Sequence, residues 1–182
     1  MLLSIGIFLF GLLLSKGKIF NCNEIVKMHF YCFKKRTTQK YSVFTIFMAF
    51  GVPALLTLAL IQIRTVENDV LDIITVIISI LTAMLFTMLT MILDMKTKID
   101  SDTSLHSRDA MLSAKLLKEV YYSIMFEIFI SILVLIACFI ELFSKKYSII
   151  SSVFIYYMSL VFLFNLIIVL NRVFEVIKNN LS

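Results

Sequence analysis

Long apolar runs alternate with short polar ones along this chain. Four runs, at roughly 43–63, 70–93, 123–143 and 148–170, reach the length that a bilayer core demands of a helix. A fifth, residues 2–14, is apolar but short. It lacks a basic stretch before it and a small-residue cleavage site after it, so it reads as a short tilted span or an interfacial helix, with Lys16 and Lys18 reaching to water. Gly and Pro number only four and one, which favours long helices. The fold class expected is all-α: one transmembrane domain of 182 residues, a polytopic helical bundle of four main spans plus the short N-terminal helix.

The polar segments have patterns of their own. In residues 20–36, Cys22, Ile25, Val26, His29, Phe30 and Phe33 fall on one side of a helical wheel and Asn23, Glu24, Lys27, Tyr31, Lys34 and Lys35 on the other. This predicts a basic amphipathic helix in the membrane interface, anchored by Lys27, Phe30, Phe33, Lys34, Lys35 and Arg36; packing on a soluble partner is the rival reading. In residues 94–122 the second span runs on through DMKTKID, and SRDAMLSAKLLKEVYY leads into the third. A helix from 108 to 143 would measure about 54 Å, well beyond a core of about 30 Å. Two helices projecting from the membrane would offer a docking surface carrying Lys96, Lys98, Arg108, Lys115 and Lys118, or would only brace their own bundle.

Within the third span, Glu127, Ser131, Val134, Cys138 and Glu141 share one heptad-spaced face, with the carboxylates about 21 Å apart along the axis. Lipid cannot satisfy that face. Three readings compete: glutamates that snorkel from the span ends, a helix–helix interface, or the lining of an ion path in an oligomer. Thr75, Ser79 and Thr82 on the second span and Ser152, Tyr156 and Ser159 on the fourth are candidate partners. Glu127, Asn165, Arg172 and Asp94 should lie near one membrane boundary, where Glu127 with Arg172 or Asn165 would make a polar clasp. Pro53 predicts a kink in the first span.

Composition sharpens this picture. Sixty per cent of residues are hydrophobic and 16 per cent charged, too apolar a balance for a soluble domain of this size. The formal charge of +5 sits beside the spans, so it points to anionic lipid and orientation and not to direct nucleic-acid binding. Segments 15–42, 94–122 and 171–182 carry seven, five and two Lys/Arg residues, against Arg64, Lys145 and Lys146 elsewhere. By the positive-inside rule the basic segments and the C-terminus face the cytoplasm. The turn at 144–147 is then a tight outer hairpin.

No chemistry is organised by the remaining residues. HExxH, GxSxG, Walker and dinucleotide signatures do not occur. Cys22, His29 and Cys32 lack a fourth ligand, and His106 with Asp102 and Asp109 reads as a solvated loop. Free thiols, no cofactor, no metal and no enzymatic activity are expected.

The basic arm FYCFKKRTTQK, the four main spans, the tight SKKYS turn and the helical MLSAKLLKEVYY resemble the layout of small membrane subunits of bacterial anti-phage systems, the KwaA type of Kiwa. The resemblance implies a homo-oligomer of the bacterial inner membrane that registers membrane disturbance at infection and holds a cytosolic effector. A pore that depolarises or permeabilises the membrane is the alternative.

Overall fold

The computed structural model describes residues 22–31, 43–101, 108–143 and 148–181. Among them every regular element is helical: α1 (Cys22–Tyr31), α2 (Val43–Ile63), α3 (Asn68–Ser101), α4 (Arg108–Leu142) and α5 (Ile149–Leu181). Segment 2–14 lies outside the described residues, as do Phe33, Lys34, Lys35 and Arg36 of the expected anchor.

Four stretches are long and apolar enough to cross a membrane: Val43–Ile63, Asn68–Lys98, Lys115–Leu142 and Ile149–Phe174. Charge placement suits the ends of these helices. Asp69 lies in the first turn of α3 and Lys98 in its last, and Lys178 lies in the last turn of α5, each complementing the helix dipole.

In α2 the ladder slips to a π-helical turn over Phe47–Gly51, where the Val52 amide bonds the Phe47 carbonyl. Pro53 cannot donate to Ala49, so the chain regains α-helical bonding only after absorbing one extra residue. The irregularity therefore sits one turn before the proline. A Cβ at Gly51 would come within 2.6 Å of the Phe47 ring, so a larger residue there would turn that outward-facing ring aside.

Helix α4 is the hub. It packs against α3 and α5, α1 lies along it, and α2 packs on α5. α2 and α3 hardly touch although four residues join them. The α3–α4 seam is a heptad: Leu71, Ile78, Leu85 and Ile92, seven apart, are all buried, with Thr82 between them. The Val66 amide donates to Ser152 Oγ at 3.1 Å and the Tyr156 hydroxyl to the Arg64 carbonyl at 3.4 Å, fixing the α2–α3 loop on the start of α5. Large apolar side chains such as Leu55, Leu58, Ile63, Ile73 and Ile80 point outward from α2 and α3. Such a surface fits hydrocarbon and not water.

The three longest helices number 34, 35 and 33 residues, or about 50 Å each. The described part of α2, Val43–Ile63 with 21 residues, measures about 32 Å, close to the thickness of a bilayer core. At one end of the bundle lie Arg64, Glu67, Asp69 and Asp72, next to the short α2–α3 loop. The surplus length of α3, α4 and α5 therefore gathers at the opposite end, where Lys96, Lys98, Lys115, Lys118, Arg172 and Lys178 lie. This is termed the basic end.

Candidate functional site

The polar stripe of α4 is buried within a single chain. Glu127 is 0 % exposed and Glu141 1 %, and Ser131, Val134 and Cys138 between them are equally enclosed. Heptad spacing puts the stripe on one face, and the central place of α4 covers it. Ser131 Oγ donates to its own backbone at Ile128, 2.8 Å away. None of the four carboxylate oxygens of Glu127 and Glu141 meets a hydrogen-bond donor among the described residues. Of the three readings, this geometry matches a helix–helix interface inside one chain; Glu127 does not snorkel.

The clasp differs from the expected one. Arg172 Nη1 donates to Ser123 Oγ at 2.7 Å, one turn short of Glu127, and that hydroxyl donates in turn to the Glu119 carbonyl at 3.0 Å. Asn165 Nδ2 donates to the Val161 carbonyl at 3.0 Å, along its own helix. Asp94 is exposed and takes no part. The reason is depth: Glu127 lies a helical turn further into the apolar stretch than the guanidinium reaches, and Ser123 stands at the level of Arg172.

Helix α1 adds a member that periodicity alone did not place. His29 is buried, with its ring stacked on Phe126 at 3.8 Å and 12°. Burial, and then the positive charge of Arg172, pull its pKa down to about 3, against a smaller opposing effect of the Asn165 side chain. Phe30, expected against lipid, stacks on Phe50 of α2 at 5.5 Å, and Ile25 and Val26 pack on the core. The apolar face of α1 thus covers the bundle, while Lys27 on its other face stays exposed. His29, Phe126, Ser123, Asn165 and Arg172 form one cluster joining α1, α4 and α5 near the basic end.

Other expected partners divide. Thr82 is buried and donates to the Ile78 carbonyl, and Thr75 is half-buried, but Ser79 points outward. Ser152 and Ser159 are buried and Tyr156 is half-buried. Lys96, Lys98, Lys115 and Lys118 are exposed at the basic end, and Arg108 opens α4 there. Cys138 is a buried free thiol, and no three His, Cys, Asp or Glu side chains converge among the described residues.

These features define a multi-pass α-helical membrane protein with four membrane-capable helices. Comparison with known protein families, with curated proteins and with solved structures returned no match.

Proposed function

We propose that the protein is a non-catalytic, homo-oligomeric subunit of the bacterial inner membrane that holds a cytosolic effector against the basic end and transmits membrane state to it. The observation that carries this reading is the common overrun of α3, α4 and α5. Three packed helices of 33 to 35 residues are each longer than a bilayer core requires, and their charged ends gather beside one another. A bundle that only had to fill the membrane would need no such length. The positive-inside rule puts that end, with the C-terminus, in the cytoplasm. Lys96 and Lys98 on α3 present charge to an acidic partner surface.

Self-association is supported by a second face of α3. Ser79, Ala83, Thr87, Thr90, Asp94 and Thr97 all point outward along one narrow stripe. Thr87, Thr90 and Thr97 bond their own backbone, so the stripe is short-chained and hydrogen-bonded internally. Small residues in such a row let two helices approach closely in lipid. The resemblance to Kiwa membrane subunits supplies the setting, phage infection as the disturbance sensed; phage plating with and without the intact chain tests it. The pore reading is weakened by the packing of the carboxylate stripe inside one chain, and ion flux from proteoliposomes tests that alternative.

The test is purification of the full chain in detergent with its mass measured. A mass of several protomers plus a stoichiometric soluble protein, lost in K96E/K98E, is the expected result. A monomer that carries nothing would contradict the proposal.

A further inference from the structure

Between α1 and α4 at the basic end lies a half-open groove of about 180 Å³, lined by Met28, Tyr31, Lys115, Lys118, Glu119 and Tyr122. Spacing explains how it arises. Lys115, Lys118 and Tyr122 lie three and four apart, so they make one row on α4, and Met28 and Tyr31 make the facing row on α1. His29, between those two, turns inward onto Phe126 and fixes the wall in place.

We propose that this groove binds the headgroup of an anionic phospholipid. Its wall is largely carbon: a methionine, two tyrosine rings and the stems of two lysines. Its rim carries two ammonium groups, both exposed and neither paired with a carboxylate among the described residues. Glu119 lies at the inner edge, half-buried, and leaves the groove with a net positive charge. The height is that of a headgroup, because Lys115 and Lys118 stand in the first turn of the membrane-capable stretch Lys115–Leu142. Tyrosine rings beside lysines at that level are the usual furniture of the lipid–water boundary. The volume falls below the roughly 300–1,000 Å³ of pockets that enclose a drug-sized ligand. It therefore takes a phosphate and its glycerol, with the acyl chains left outside in the bilayer. A phosphate there pairs with both lysines at the rim, with the apolar wall behind it.

This assignment removes Lys115 and Lys118 from the effector surface and leaves Lys96 and Lys98 to it. It needs only that the basic end lies at a membrane face, so it stands or falls apart from effector docking.

The chain contains no tryptophan, so Tyr122→Trp places a single reporter in the groove. The full-length Y122W protein is reconstituted in phosphatidylcholine, and quenching by brominated phosphatidylglycerol is compared with quenching by brominated phosphatidylcholine. A several-fold preference for phosphatidylglycerol is expected. It should fall to unity in Y122W/K115Q/K118Q, whose emission maximum stays unchanged, and persist in Y122W/K96Q/K98Q. Equal quenching by the two lipids would overturn the proposal. So would equal loss of preference in both lysine pairs, which would mark diffuse surface charge and no defined groove. Should Trp disturb the wall, Tyr31→Trp reports from the opposite side with the same expected outcomes.

Discussion

Glu127 and His29 are both enclosed at the heart of the bundle, and they make opposite predictions. Glu127 has no hydrogen-bond donor among the described residues. Leu in its place removes a buried polar group that nothing satisfies, so Glu127→Leu should raise stability, by up to about 3 kcal/mol. Thermal unfolding in detergent checks this, and a clear loss of stability would contradict it. For His29 the folded-state pKa of about 3 lies below the ordinary 6.5. Between those values the unfolded chain holds more protons than the folded one, so stability conferred by the docked neutral ring is complete above pH 6.5 and is lost as pH falls towards 3. Amide exchange in α1, corrected for intrinsic rate, should therefore be faster at pH 4.5 than at pH 7.5. His29→Phe, which keeps a ring against Phe126, should abolish the difference. The clasp residues couple more simply: a double-mutant cycle on Ser123 and Arg172 should give an interaction of about 1.5–3 kcal/mol, as for a hydrogen bond to a charged group. The span topology read from the sequence placed Arg172, Asn165, Glu127 and Asp94 at one level, and Asp94 stands apart, exposed on α3. That topology could not choose Ser123 over Glu127, because a difference of one turn in depth is set by how α4 and α5 slide past each other.

At the scale of elements, the spans were readable because twenty consecutive apolar residues admit little else in a chain this poor in Gly and Pro. Their phase was harder. Thr75, Ser79 and Thr82 obey heptad spacing, yet the buried row runs through Ile78, and Ser79 faces outward. In a lipid-soluble helix both faces are apolar, so hydropathy loses the contrast that marks the inward side of a soluble helix. Substitution distinguishes the two faces. Leu85→Ala should destabilise the α3–α4 pair by about 2–5 kcal/mol, and Ile80→Ala, on the exposed face, by no more than about 0.5 kcal/mol. Equal losses would contradict the seam. α1 was legible as an amphipathic helix, with packing on a soluble partner as the rival reading, but not as one packed on its own bundle: only the stacking of His29 on Phe126 and Phe30 on Phe50 shows where the apolar face goes.

For the whole molecule, the central claim is directional. We propose that the long helices α3, α4 and α5 extend beyond the hydrocarbon at the basic end and that this end faces the cytoplasm. Cysteine accessibility addresses the claim directly. With Cys22 and Cys32 changed to Ser and Cys138 left buried, single cysteines at Lys98, Lys178 and Asp69 are treated with a membrane-impermeant maleimide in sealed vesicles of either orientation. The account predicts that Lys98→Cys and Lys178→Cys react only in inside-out vesicles and Asp69→Cys only in right-side-out ones. Labelling of Lys98→Cys from the outer side, or of Lys98→Cys and Asp69→Cys from the same side, would contradict it.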